Sequence, residues 1–91
     1  MKDIVTFLKI ALKQYPFKKA FLFGSYARNE QTDKSDIDIL VEFNKRISLF
    51  EVLRIERELR DKLHHKVDIV EMSAIKPSIK NNILNDMISL L

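Results

Sequence analysis

A chain of 91 residues has room for one domain and one hydrophobic core, so residues 1–91 are expected to fold as a single unit without a second, substrate-holding domain. With 46% hydrophobic and 32% charged residues the composition is globular and argues against disorder, while a net charge of +3, spread without a block of like charges, argues against direct nucleic-acid binding as the main role. The absence of cysteine excludes disulfides, thiolate metal sites and a cysteine nucleophile, and no run approaches the ~18 apolar residues of a membrane span, so the sequence points to a cytoplasmic protein without a membrane partner.

Ile4, Val5, Leu8, Ala11 and Leu12 recur at helical spacing and predict an amphipathic core helix from about Lys2 to Lys13, which Pro16 ends by discouraging helix at Tyr15. Phe17 to Phe23 reads as the first strand. The single glycine of the chain, Gly24, follows the apolar run Ala20-Phe21-Leu22-Phe23 and marks a special backbone position. With Tyr26 to Glu30 as a short helical turn, the Gly24-Ser25 turn aims free backbone N–H groups outward and the Ser25 hydroxyl adds another donor, which makes a cradle for an anion such as phosphate. Arg28 falls one turn beyond Ser25, where it either reaches a phosphate or pairs with an acid such as Glu30 or Asp33. Residues 29–35 are polar throughout and read as a loop at the mouth of the site.

Next comes Ser35-Asp36-Ile37-Asp38-Ile39-Leu40-Val41. As a strand it places Asp36 and Asp38 on one face, roughly 7 Å apart along the chain, and Ile37, Ile39 and Val41 on the other. Two adjacent carboxylates repel unless a cation sits between them or one takes a proton, and an all-oxygen ligand set favours Mg²⁺ or Mn²⁺. Glu42 shares their parity but lies further along, where it meets solvent.

A long helix from Ile47 to His64 is signalled by Leu49, Val52, Leu53, Leu59 and Leu63, a stripe crossed by Glu56, with Ser48 and Glu51 as a capping box. Its charges, among them Arg54, Arg57, Glu58 and Asp61, form a solvated face, and His64-His65 suit the negative helix end better than a metal. Lys66-Val67-Asp68-Ile69-Val70 is a third strand with its acid on the face opposite Val67 and Ile69. If it neighbours the Asp36–Asp38 strand, three acids face a triphosphate in the pattern of a two-metal site. Pro77 opens a last helix running to about Leu90. Its apolar residues, Ile79, Ile83, Leu84, Met87, Ile88, Leu90 and Leu91, exceed a single stripe; they are expected to cover the open side of the sheet, and a partner is the other use for them. The expected architecture is mixed α/β (α+β), a small mixed sheet with helices on its apolar face and acids on the other.

The spacing Gly24-Ser25, ten residues, then Asp36-Ile37-Asp38 resembles the signature of the minimal nucleotidyltransferases, the MNT group of the DNA polymerase β-like superfamily, and is similar in particular to the MNT antitoxins paired with HEPN toxins. The resemblance covers nearly the whole chain. One departure is Asn29, where family members often carry glycine; asparagine tolerates a left-handed backbone better than most residues. The resemblance implies a nucleotidyltransferase fold, ATP as AMP donor, two Mg²⁺ ions (Mn²⁺ as a substitute), and a tyrosine of a HEPN ribonuclease toxin as acceptor. On that pattern Gly24 and Ser25 hold the β- and γ-phosphates with Arg28 beside them, Asp36 and Asp38 ligate metal, and Asp68 completes the second ion's shell and draws the acceptor proton, directly or through the metal. Two other functions are compatible with the same residues: an antitoxin that blocks its partner by contact alone, and a nucleotidyltransferase acting on a small hydroxylated acceptor.

Overall fold

The structure is a computed structural model that describes residues 2–32, 34–75, 77 and 85–91. Helix α1 (Lys2–Ala11) runs into a 3-10 turn at Leu12–Gln14; strands β1 (Phe17–Phe23) and β2 (Ile37–Phe43) follow, then helix α2 (Leu49–Leu63), strand β3 (Val67–Glu71), a 3-10 turn at Met72–Ala74, and strand β4 (Ile88–Ser89). The sheet order is β3-β2-β1-β4. β1 is antiparallel to both β2 and β4, whereas β2 and β3 are parallel, their connection carrying α2. A mixed sheet with both helices packed on one face matches the architecture expected from the sequence.

The core follows from the two periodicities. Alternate residues Ile37, Ile39 and Val41 of β2 point to one face, where they join Ala20 and Leu22 of β1 and Val67 of β3 under Leu8, Ala11 and Leu12 of the N-terminal segment and Ile55 and Leu59 of α2. Burial of the large members is nearly complete, and each contributes about 1.5–3 kcal/mol relative to exposure. Tyr15 at the α1–β1 junction packs edge-on against Phe17 and donates its hydroxyl to Glu58 Oε1 of α2 at 2.7 Å, so a polar contact fixes the helix as well.

Three sequence expectations change. The helix expected to run to about Leu90 ends earlier: Asn85 and Asp86 are helical, but Ile88–Ser89 form β4, pairing Leu22 with Ile88 and Phe21 with Ser89, and the Leu90 amide donates to Ala20 O at 2.8 Å. Helical periodicity misled there because Ile88 and Leu90 share a parity that suits a strand equally well, and the open edge of β1 supplies the hydrogen bonds that decide. Ile79, Ile83 and Leu84 lie outside the described residues. Second, the stripe assigned to α2 is rotated. Ile55, absent from it, is fully buried, whereas Leu49 and Leu53 are 70% and 51% exposed. Third, Glu56, which crosses the stripe in the sequence, reaches the edge of β3, where its Oε2 accepts the Ile69 amide at 2.7 Å. A carboxylate thus caps an amide on an outer strand that would otherwise be open to pairing with another chain.

Caps explain the ends of α2. The Ser48 hydroxyl accepts the Glu51 amide at 3.2 Å as expected, but the Glu51 carboxylate turns to Arg54 instead of closing the capping box. At the other end His64 adopts the left-handed conformation (φ 56°) and its amide bonds Arg60 O at 2.8 Å, so this histidine serves as a terminator.

Candidate active site

Strand pairing determines which acids meet. In the parallel ladder Asp38 of β2 stands opposite Asp68 of β3, and in-register neighbours on adjacent strands project to the same face. Asp36 precedes β2 with the same parity. In the antiparallel ladder Phe23 pairs with Asp38, so the residue after Phe23 is delivered to the carboxylate of Asp38. That residue is Gly24.

Gly24 meets two constraints at once. Its φ of +75° is a conformation that side chains disfavour, and a Cβ there would stand 2.5 Å from Asp38 Oδ2. The backbone passes so close to the acid that any side chain there would push the carboxylate out of place. Beyond Gly24 the chain makes one helical turn: the Arg28 amide bonds Gly24 O at 3.2 Å, the Asn29 amide Tyr26 O at 3.3 Å, and the Glu30 amide Ser25 O at 2.9 Å. With Asn29 left-handed (φ 59°), the last two bonds close the turn as a Schellman cap. Asparagine therefore occupies a backbone position where glycine would be the default, which accounts for the departure noted at this residue. Among the described residues the amides of Ser25, Tyr26 and Ala27 donate to no carbonyl, and they open the turn beside Asp38. The turn is pinned from behind by Tyr26, whose buried ring meets His65 edge-on.

The electrostatics agree with this convergence. Burial first, then the charges of Asp68 and Asp36, push the Asp38 carboxyl above the usual carboxylate range, and Lys66 and Arg28 pull in the opposite direction. A raised pKa on an acid flanked by two others marks a place where negative charge is concentrated without full compensation. Lys66, which carries no motif in the sequence, also joins the site. Its Nζ lies 3.7 Å from Asp36 Oδ2, and its position at the mouth of β3, two residues before Asp68, was the available signal. Arg28 Nε faces Glu30 Oε2 at 3.4 Å, so its ion pair is with Glu30, yet its charge is felt at Asp38. Among the described residues no three His, Cys, Asp or Glu side chains gather closely enough to enclose an ion as they stand. The donor set nevertheless fits a hard cation: it is oxygen-only, it carries excess negative charge, and Gly24 leaves the space beside Asp38 open. Glu42, with the same parity, pairs with Lys18 at 3.6 Å on the surface and takes no part. No helix among the described residues is long and apolar enough to cross a membrane.

The family model described as polymerase beta, nucleotidyltransferase, matches residues 7–91. A Methanocaldococcus jannaschii protein provisionally named protein adenylyltransferase MJ0128 is 50% identical over 90 residues, spanning 97% of this chain and 92% of its own. The protein adenylyltransferase MntA of Thermococcus cleftensis is 33% identical over 89 residues, with 97% and 90% covered. Among solved structures, the MNT antitoxin complexed with the tri-AMPylated Shewanella oneidensis HEPN toxin superposes with a TM-score of 0.74 at 19% identity, over 100% of this chain and 72% of that one.

Proposed function

Starting from the fact that the chain belongs to the polymerase β nucleotidyltransferase family, we propose that it transfers AMP from ATP to a hydroxyl of a protein partner, a tyrosine of a HEPN toxin, and thereby acts as that toxin's antitoxin. The observation that carries the reading is the meeting of Gly24 with Asp38, opposite Asp68: a turn with open amides held against a carboxylate whose nearest charged neighbours include two more acids. The adenylyltransferase names of the relatives and the AMPylated toxin of the Shewanella complex supply the donor and the acceptor class.

In this proposal the open amides after Gly24 and the Ser25 hydroxyl bind the β- and γ-phosphates, and Arg28 swings from Glu30 to add charge beside them. Asp36, Asp38 and Asp68 would hold Mg²⁺ or Mn²⁺; a bound divalent ion supplies charge neutralisation at the triphosphate and lowers the pKa of an oxygen it touches. Asp68 accepts the proton of the attacking hydroxyl as the new O–Pα bond forms and the bond from Pα to pyrophosphate breaks, so the electron pair leaves with pyrophosphate. Lys66 and Arg28 offset the charge that accumulates on the leaving group. Most of the acceleration comes from holding these groups in line in a fixed field.

The test is intact-mass measurement of a HEPN partner incubated with the chain, Mg²⁺ and each nucleoside triphosphate in turn, beside an Asp36→Asn/Asp38→Asn control. A mass gain of AMP units with ATP, absent from the control, is the expected result. A tight complex without a mass gain would replace the transferase with an inhibitor acting by contact.

A further inference from the structure

The outward face of α2 combines features that a merely solvated helix lacks. Leu49, Phe50 and Leu53 are 70%, 85% and 51% exposed, adjoining one another on the first two turns. At 100° per residue Phe50 lies about 140° around the helix from the buried Ile55, so this is a second apolar surface and not the rim of the core. Phe50 and Leu53 line a shallow groove with Arg54, Arg57 and Arg60, which follow on the same face one to three turns along. Arg54 is spoken for, bridging Glu51 and Glu58, but Arg57 and Arg60 form no ion pair among the described residues. Three neighbouring large apolar side chains next to two uncompensated guanidinium groups form a patch with a direction: apolar at its N-terminal end, cationic at its C-terminal end.

We infer that this face docks an amphipathic, acidic helix of the protein partner, its apolar residues seated against Phe50 and Leu53 and its carboxylates, one to two turns on, against Arg57 and Arg60. The charge pattern selects this occupant. Arginine forks match carboxylates bidentately, and an aromatic beside them is the composition of an interface anchor. A nucleic-acid backbone fits less well, because Leu49, Phe50 and Leu53 make up the apolar half of the patch and offer nothing to a phosphate, whereas the apolar side of an amphipathic helix covers them. The placement also assigns a role. α2 packs with Ile55 and Leu59 against the Ile37–Ile39–Val41 face of the sheet, whereas Asp36 and Asp38 alternate to the opposite face. Docking here captures the partner without obstructing the acids, so the surface sets affinity and the acids set the rate.

The inference rests on the protein-acceptor reading above, and the experiment separates the two. Phe50→Glu and Arg57→Glu/Arg60→Glu change exposed positions, and circular dichroism melts should match the unmodified chain. With purified HEPN partner as the probe, each is expected to weaken binding at least tenfold, to abolish the salt sensitivity of binding in the arginine variant, and to raise KM for AMP transfer with kcat at saturating partner unchanged. Wild-type affinity in both variants overturns the inference while leaving the transferase intact. Loss of binding in the variants, together with no transfer by the unmodified chain, upholds the docking surface and overturns the transferase. Two further outcomes also overturn it: arginine-dependent binding of a single-stranded RNA oligonucleotide with unaltered partner binding, and a dimer of the unmodified chain in sedimentation equilibrium that Phe50→Glu dissociates.

Discussion

Replacing Gly24 with alanine tests the construction of the site most directly, because the structure separates two costs. The first is conformational: alanine at φ +75° is disfavoured by about 1–2 kcal/mol. The second is steric: the new methyl would stand 2.5 Å from Asp38 Oδ2, but 3.4 Å from Cγ and 3.6 Å from Cβ, so a rotation of the carboxylate relieves the clash. Stability should therefore fall by the conformational term alone, roughly 4–16 °C in Tm for a chain of this size. Activity should fall much further, by about 10²-fold or more, because the rotated carboxylate leaves its working position. A double-mutant cycle with Asp38→Ala isolates the contact. With the carboxylate removed, Gly24→Ala should cost the same stability as before, within about 0.5 kcal/mol. Thermal melts of the four chains, with AMP transfer measured on the two that keep Asp38, give both readouts. Unchanged melting and unchanged transfer in Gly24→Ala would refute the argument, since neither the left-handed turn nor the approach to Asp38 would then matter.

Asp38→Asn should raise Tm in metal-free buffer while abolishing transfer. Because the folded carboxyl titrates above its unfolded value, its ionised form opposes folding, an effect complete above the folded pKa and relieved as pH falls below the unfolded one, so the gain measured by melts should shrink toward acid pH. Glu56→Ala should cost about 1–3 kcal/mol in urea unfolding by stripping the Ile69 amide of its acceptor, whereas Glu56→Gln, which keeps an oxygen there, should lose less; equal losses would mean the bond is incidental. Burial and the neighbouring Glu58 push the Tyr15 hydroxyl up to about 12, so its contribution is full below pH 10 and is lost as pH rises from 10 to 12. Tyr15→Phe should remove that alkaline loss along with about 1 kcal/mol of stability, and an unaltered alkaline melting profile would remove Tyr15 as its source.

Residue types and their periods determined much of this protein. Alternation in Asp36-Ile37-Asp38-Ile39 separated an acid face from a core face before any partner strand was known, because the period of a strand is two whatever it pairs with. The lone glycine announced an unusual backbone, and Ser48 announced the start of α2 through a bond made within four residues. Such features are local, so they can be read locally. What required the third dimension was register and rotation. That Asp68 stands opposite Asp38, that Gly24 touches Asp38, and that Lys66 reaches Asp36 all follow from how strands slide against one another, which no single segment specifies. Likewise the spacing of apolar residues marks α2 as amphipathic without fixing which of them turn inward; the sheet chose Ile55 and Leu59, leaving Leu49, Phe50 and Leu53 to solvent. At the C-terminus the unpaired edge of β1 outweighed helical spacing, because a backbone amide near an open strand gains a hydrogen bond there that periodicity cannot foresee.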